Sequence, residues 1–456
     1  MIEKLALPEI RELIEVNDLS TLGDVLNDWF PADLAALAEH LEEPEQLRFF
    51  RALKAPVAAT TFEYLDLDTQ RMLLEEFTQE EAGAILERMA ADDRTALLEE
   101  LPADRANQFL ALLSPERRTV ALSLLQYPEE SIGRVMTPDY VAVKKNWTIK
   151  HVLDHVRSQG KDRETLNVLY VVDDNHKLID DIRIREVLLT PLHVHVSDVM
   201  DGRFVALRAS DDKETAVGVF RKYDRTALPV IDERGMLVGI VTIDDVLDIA
   251  EEAATRELQH FGGLEALDEP YVATSVLSMV RKRASWLVIL FVSEMLTATA
   301  MGHYEDKIAK AVHLAIFVPL IISSGGNTGS QAATLIIRAL ALGELKLGDW
   351  WKVLRRELAS GLLLGLILGT IGLVRITIWG TFLHAYQPDW KALAATVSIA
   401  LVGIVMWGTI SGSMLPFVLK RLGVDPATSS APFVATLMDV TGLIIYFNVA
   451  EMIMNV

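Results

Sequence analysis

The sequence predicts a multidomain chain: an all-α helical-repeat N domain, an α/β tandem, and an all-α polytopic membrane domain with five transmembrane helices. Three observations carry this. Leucines recur at three- and four-residue spacing through the first 130 residues with no alternating β pattern. Residues 136–249 hold an internal duplication of short β-branched runs. Beyond residue 271 the chain carries five apolar runs, each near the roughly 20 residues that a bilayer requires. Charge divides along the same line: 14 Lys+Arg and 10 Asp+Glu after residue 270, against 29 and 54 before it.

An acidic half of that size excludes nucleic acid as a partner, because phosphate recognition rests on Lys and Arg. It attracts cations. The chain is 51% hydrophobic and has no cysteine, which removes disulfides, thiolate metal sites and Cys nucleophiles from consideration. MIEKLALPEI lacks the basic region and apolar core of a cleaved signal peptide.

The N domain, 1–130, reads as weakly related helical units such as LLEEFTQEEAGAILERM and LLEELPADRANQFLALL, which predicts a stacked solenoid. By spacing alone, its acids at Glu75, Glu76, Glu80, Glu81, Asp92, Asp93, Glu99 and Glu100 form a solvated face. In 131–250, VMTPDYVAV, TIKHVLDHVR and LYVVDDNHKLIDDIRIREVLL are echoed by VMDGRFVAL, KETAVGVFRKY and LPVIDERGMLVGIVTIDDVLDI. Each copy predicts strand, helix, strand, turn, strand, helix. The pattern resembles a tandem pair of CBS domains, which implies a regulatory sensor that often binds an adenine nucleotide. The first copy departs, with Asp180 where the second has Gly239 and Arg183 where it has Thr242. A helical connector, 251–270, is expected to end near Gly262 and Gly263.

The membrane domain, 271–456, places its spans at about 285–302, 311–337, 358–383, 392–418 and 430–450. Arg281–Arg283 precede the first span, Arg338, Lys346, Lys352, Arg355 and Arg356 follow the second, and Lys420 and Arg421 follow the fourth. The other loops hold Lys307, Lys310 and Lys391. Positive-inside bias then sets the acidic half in the cytoplasm and the C-terminus outside the inner (plasma) membrane. An odd span count argues against an inverted repeat within one chain, so a symmetric pore takes two chains.

Polar residues within the spans are few. Pro319, Ser323, Ser324, Gly325, Gly326, Asn327, Gly329 and Gln331 interrupt the second span, predicting a loosened helix whose amides line a wet path. Glycine packing explains the glycines but not Asn327 and Gln331. In the fifth span, Pro432 is expected to free a backbone carbonyl, and Ala435 and Asp439, four apart, share a face. An ionisable group at that depth is costly to hold and marks a functional site. The candidate ligands are all oxygens, which suits a hard divalent ion. Few carboxylates with retained waters suit Mg²⁺. Glu294 in the first span either pairs with His303, lies at a subunit interface, or serves a carrier as a proton site; Arg375 snorkels.

SSGGNTGSQAATLIIRALALGEL, DPATSSAPFVATLMDVTGLIIYFNVA and YPEESIGRVMTPDYVAV resemble the MgtE family of magnesium channels, and the domain order covers the whole chain. The resemblance implies a homodimeric Mg²⁺-selective channel for magnesium uptake in the lipid bilayer. Asp439 falls on the family's ion-binding aspartate, Ala435 on its carbonyl donor and Asn327 on its pore asparagine. It further implies that cytosolic Mg²⁺, held between acidic surfaces of the N domain, CBS pair and connecting helix, closes the pore. Asp92 and Asp93 on the N domain and Asp212, Glu214, Asp224, Asp245 and Asp248 on the CBS pair stand at such surfaces. Where relatives read EATED, this chain has Ala253, Ala254, Thr255, Arg256 and Glu257, so either Glu251 and Glu252 compensate from one turn away or the chain closes at higher Mg²⁺, the reading adopted as the hypothesis. The rivals are a Na⁺- or H⁺-coupled divalent cation carrier and an intramembrane hydrolase. The second lacks paired catalytic aspartates, a Ser–His pair or HExxH in its spans.

Overall fold

The computed structural model describes the backbone of all residues except 1, 264, 266, 268–270, 272–273, 311, 342, 429–430 and 455–456. The predicted starts of the second and fifth spans, at 311 and 430, and parts of the connector lie outside the described residues. The chain divides into two compact units, Met1–Glu251 and Glu252–Val456.

The first unit opens with helices running from α1 (Ile2–Glu15) to α10 (Pro115–Leu124). Most pack against the helix two further along, as in a solenoid. Side chains end the free backbone at their starts: Asp18 accepts from the Thr21 amide, Asp66 from the Thr69 amide, and Thr78 and Glu81 form a capping box. Leu22, Leu34, Phe49, Phe62, Leu73 and Leu86 are sealed inside.

The stacking carries a period that the apolar pattern hides. Gln46, Gln70 and Arg94, 24 residues apart, are buried polar groups doing the same task. Gln46 donates to Ala38 O (2.9 Å), Gln70 to Phe62 O and Leu65 O (both 2.9 Å), and Arg94 to Leu86 O (3.1 Å) and Met89 O (3.0 Å). Each satisfies carbonyls left open at the end of the preceding helix, where an unmet acceptor would cost about 1–3 kcal/mol.

Two three-stranded sheets follow. In the first, β1 (Ala142–Lys144) pairs parallel with β2 (Val168–Val172), which pairs antiparallel with β3 (Leu178–Arg183). The second repeats the topology with β4 (Leu207–Arg208), β5 (Ala227–Ile231) and β6 (Leu237–Thr242). The helices Ile149–Gln159 (α11) and Ile184–Leu189 (α12) belong to the first copy; Glu214–Tyr223 (α13) and the start of Ile243–Phe261 (α14) belong to the second. The predicted order is met in both. Asp180, the departure from Gly239, is fully buried and structural. It accepts from the Asp181 amide (2.9 Å) and the Gly202 amide (3.0 Å), fastening the loop between the copies.

The second unit contains five long helices: α15 (Val276–His303), then, after the short α16 (Glu305–Lys310), α17 (His313–Ala341), α18 (Trp350–Phe382), α19 (Trp390–Arg421) and α20 (Ala431–Met454). Four have the length and apolarity to cross a membrane; α17 has the length, with its apolarity diluted at its centre. The α15/α20 contacts, Trp286 on Phe433 and Tyr304 stacked on Phe447, show that these two run in the same direction. Glycine contacts show α17 antiparallel to α20 and α18 antiparallel to α19. The ten basic residues from Arg281–Arg283, Arg338–Arg356 and Lys420–Arg421 therefore gather at one end of the bundle.

Two expectations are corrected. The α17 helix is continuous through Pro319 and the glycines rather than loosened. Ser324 donates back to Leu320 O (2.7 Å) and Thr328 to Ser324 O (2.8 Å) on the same helix, while Ser330 donates to Ala431 O of α20 (3.2 Å), so no break is needed to satisfy these hydroxyls. Pro432 sits at the second position of α20, where its missing amide costs nothing, so it frees no carbonyl within the helix.

Candidate metal sites

Within the bundle, α17 has two faces with different chemistry. Gly325, Gly326 and Gly329 are buried. A Cβ on Gly325 would stand 2.7 Å from Met438, and one on Gly326 would stand 3.5 Å from Ala435. Their counterparts on α19 are as tight: a Cβ on Gly408 would sit 2.6 Å from Gly325 O, and one on Gly412 would collide with Gly329 O. Glycine there brings three helices into backbone contact. Gly412→Val should therefore wedge α19 from α17. We expect loss of monodisperse folded protein on size-exclusion chromatography, with a stability cost of about 3 kcal/mol or more from overpacking against rigid backbone. Normal yield and melting temperature would refute the close-approach role.

The opposite face of α17 exposes Ser323, Asn327, Gln331 and Thr334. These lie four, four and three residues apart, one polar stripe on a helix of membrane-spanning length. Asn327 Nδ2 donates to Ser323 Oγ at 3.3 Å. Packing and polar lining are thus both present, on separate faces.

Ala435 and Asp439 are half-buried on one face of α20, and the Gly326–Ala435 contact sets them level with Asn327. The Asp439 carboxylate makes no hydrogen bond or ion pair among the described residues. The two α15/α20 ring contacts, Trp286 on Phe433 and Tyr304 on Phe447, set Glu294 on α15 level with Asp439. Glu294 is exposed and has no ion pair with His303 among the described residues. At the basic end of the bundle, His260 Nδ1 lies 3.0 Å from Asp425 Oδ2, and Phe261 packs on Ala333, Ile337, Ala427 and Val434. The end of α14 is thereby seated on the helices that carry Asn327 and Asp439.

In the first unit, five carboxylates from four segments converge. Asp92 and Asp93 occupy the first turn of α8 (Ala91–Glu99), and Glu63 ends α5 (Ala55–Glu63), where it accepts from the Ala90 amide at 2.7 Å. Glu164 precedes β2. Asp245, in the first turn of α14, accepts from Thr242 Oγ1 at 2.6 Å. Burial, with neighbouring acids, pushes Asp93 and Glu164 up to about 7 and Asp245 to about 6. Burial and the charges of Asp245 and Asp93 raise Asp92 well above the carboxylate range, and burial raises Glu63. Asp92 Oδ1 is buried with no hydrogen-bond partner. Among the described residues no three carboxylates or imidazoles converge closely enough to hold one ion directly. The arrangement suits an ion that keeps its water shell, as Mg²⁺ does.

Of the acids read from the sequence, Asp92, Asp93 and Asp245 meet here, and Asp248 follows one turn on from Asp245. Asp212, Glu214 and Asp224 do not. Asp212 Oδ1 caps the Glu214 amide (2.8 Å) at the start of α13, and Asp224 closes its far end in a left-handed conformation (φ 50°). Glu63 and Glu164 were missed, as neither lies in a motif; a 24-residue repeat alignment would have placed Glu63 at a helix end facing the next unit.

Between the two CBS copies, Arg183, Arg203 and Arg225 line a cavity of about 540 Å³ with Asp181, Asp201 and Glu186, and Arg225 pairs with Asp181 at 3.4 Å.

Comparison with known proteins finds three family descriptions along the chain: a divalent cation transporter over 318–449, an MgtE intracellular N domain over 29–130, and CBS domains over 132–191 and 196–252. Magnesium transporter MgtE of Thermus thermophilus is 40% identical over 73% of this chain and 72% of its own length. Its namesake in Enterococcus faecalis is 30% identical over 73% and 71%. A crystal structure of the cytosolic domain of the Mg²⁺ channel MgtE in complex with ATP matches with 32% identity and a TM-score of 0.51, covering 53% of this chain and 99% of that one.

Proposed function

The chain belongs to the MgtE family of magnesium transporters, and from that premise we propose that it is a Mg²⁺-selective channel for uptake, closed by cytosolic Mg²⁺. It is a multi-pass membrane protein that transports Mg²⁺ and is not an enzyme. The observation that carries the channel reading is the unpaired Asp439 carboxylate level with the exposed Ser323–Asn327–Gln331 stripe. A polar stripe on a spanning helix needs water or protein opposite it. A second copy of the chain, related by twofold symmetry, supplies both: two stripes enclose a wet path, and two Asp439 carboxylates with Ala435 and Asn327 hold a hydrated Mg²⁺. The basic end of the bundle is the cytoplasmic end, with the N-terminus inside and the C-terminus outside.

Electrophysiology on the reconstituted chain tests this. Single-channel steps carried by Mg²⁺ are expected. Flux that depends strictly on a Na⁺ or proton gradient would establish the second reading, a coupled carrier, for which Glu294, level with Asp439, offers an acid to protonate.

The acidic cluster is the proposed sensor, and the 251–270 segment, seated through Phe261, the route to the pore helices. Asp92, Asp93 and Asp245 form its core with Glu63 and Glu164; Asp212, Glu214, Asp224 and Asp248 are exposed acids around α13 and α14 that the family resemblance also assigns to sensing. Because folding raises these carboxyl pKa values, the folded chain holds protons that the unfolded chain has released between about pH 4 and 7. Without Mg²⁺, stability should thus fall as pH rises through that window, and Mg²⁺ should restore it most above pH 7. Melting curves with and without Mg²⁺ at pH 5.5 and 8 check this, and equal Mg²⁺ shifts at the two pH values would contradict it.

The cavity with Arg183, Arg203 and Arg225 is the proposed seat of an adenine nucleotide's phosphates. The pairing of Arg225 with Asp181 weakens that binding relative to an open site.

A further inference from the structure

A second cavity, of about 510 Å³, lies at the basic end of the bundle where the short turn Leu347–Asp349 crosses the end of α19. Its walls are apolar: Leu347, Trp350, Phe417 and Val418. Phe417 is held from behind by Ile336, Leu340 and Val353, so the floor is rigid. A Cβ on Gly348 would meet nothing within 4 Å, which leaves one wall open. At the rim stands Arg421, exposed and without an ion pair among the described residues. The neighbouring cations are already committed in part: Lys352 pairs with Asp349 at 2.7 Å, and Lys420 donates to Leu340 O at 3.4 Å.

The surroundings fix the depth. Trp350 and Trp351, half-exposed and edge to face at 5.5 Å, are the residues that settle at headgroup level. From Leu358 inward on α18, and from Val418 inward on α19, the helices are apolar for the length of a membrane span. The ends of α17, α18 and α19 here carry Arg338, Lys346, Lys352, Arg355, Arg356, Lys420 and Arg421 against Glu344, Asp349, Glu357 and Asp425. A ligand for this place is apolar on the inner side and anionic on the outer.

We propose that this groove binds an anionic phospholipid of the surrounding bilayer, with an acyl chain against Leu347, Trp350, Phe417 and Val418 and its phosphate on the Arg421 guanidinium. A basic pocket at the interface selects charged headgroups, each Arg or Lys contributing about fivefold. A zwitterionic lipid places a choline against the same cationic rim and gains less.

The test uses the full chain, purified in detergent and exchanged into nanodiscs of equal phosphatidylglycerol and phosphatidylcholine, with retained lipid counted by native mass spectrometry. The native chain should retain phosphatidylglycerol several-fold over phosphatidylcholine. Arg421→Gln should cut that ratio about fivefold, and Gly348→Leu, which adds bulk at the cavity lining, should reduce retention of both lipids. Equal retention of the two by the native chain, or an unchanged ratio in Arg421→Gln, overturns the proposal. Displacement of the lipid by millimolar glycerol phosphate also overturns it, since that marks a headgroup-sized anion site without the acyl groove. Should Arg421→Gln not fold, Gly348→Leu decides by itself: retention of phosphatidylglycerol at the native level rules the groove out.

Discussion

Asp439→Ala should reduce Mg²⁺ conductance by at least about a hundredfold while leaving the folded bundle intact. The size follows from what the carboxylate contributes: a divalent cation leaving water for a span needs a compensating charge, and losing about 3 kcal/mol of that compensation is about two orders of magnitude. Asp439→Asn separates charge from shape. If the carboxylate served only to pack α20, the amide would fill the same space and transport would survive. If it holds the ion, Asn fails nearly as badly as Ala. Asp439→Glu keeps the charge but moves it by a methylene and is expected to retain reduced flux. A Mg²⁺ current of native size in Asp439→Asn would remove this residue from the permeation path. Glu294→Gln is the companion measurement: as the nearby acid on α15, it should alter conductance far less than Asp439 in a channel, and as drastically in a proton-coupled carrier.

Asp439 was readable as a candidate because the membrane makes it conspicuous: a lone carboxylate among apolar residues has few structural uses. The two faces of α17 were harder. Sequence presents Gly325, Gly326, Asn327, Gly329 and Gln331 as one interrupted run. Only the close approach of α19 and α20 shows that the glycines and the amides point in different directions. The helix also stays continuous because Ser324 and Thr328 bond back onto it, local bonds that composition does not reveal. The order of strands and helices followed from periodicity and from the internal duplication, which depend on neighbours in the chain. The carboxylate cluster did not, because Glu63, Asp92, Glu164 and Asp245 come from four segments and meet only in the folded unit. Periodicity likewise missed the 24-residue repeat of Gln46, Gln70 and Arg94, since apolar spacing has no signal for a buried polar residue that closes the helix before it.

Asp93→Asn combined with Asp245→Asn should flatten the response of the gate to Mg²⁺. The physical ground is differential affinity: an ion closes a gate only as far as it binds the closed state better than the open one. Moving a gate from nearly all open to nearly all closed takes about 5.5 kcal/mol of such preference. Buried carboxylates that repel one another supply it, because their repulsion opposes the condensed arrangement until a divalent ion offsets it. Two amides remove both the repulsion and the ion's foothold. The ion-free variant should therefore melt higher than the native chain at pH 8, its Mg²⁺-induced rise in melting temperature should shrink to under about half, and open probability should cease to fall as Mg²⁺ is added. The outcomes are linked, which makes the test severe. A variant that melts no higher without Mg²⁺ shows that repulsion was not what the ion relieves. A variant that closes normally shows that sensing resides elsewhere, with the exposed acids at Asp212, Glu214, Asp224 and Asp248 the next place to look. Arg256→Glu probes the same balance from the connecting helix: restoring an acid there should lower the Mg²⁺ needed for closure, and an unchanged response would mean that the cation at this position does not set it.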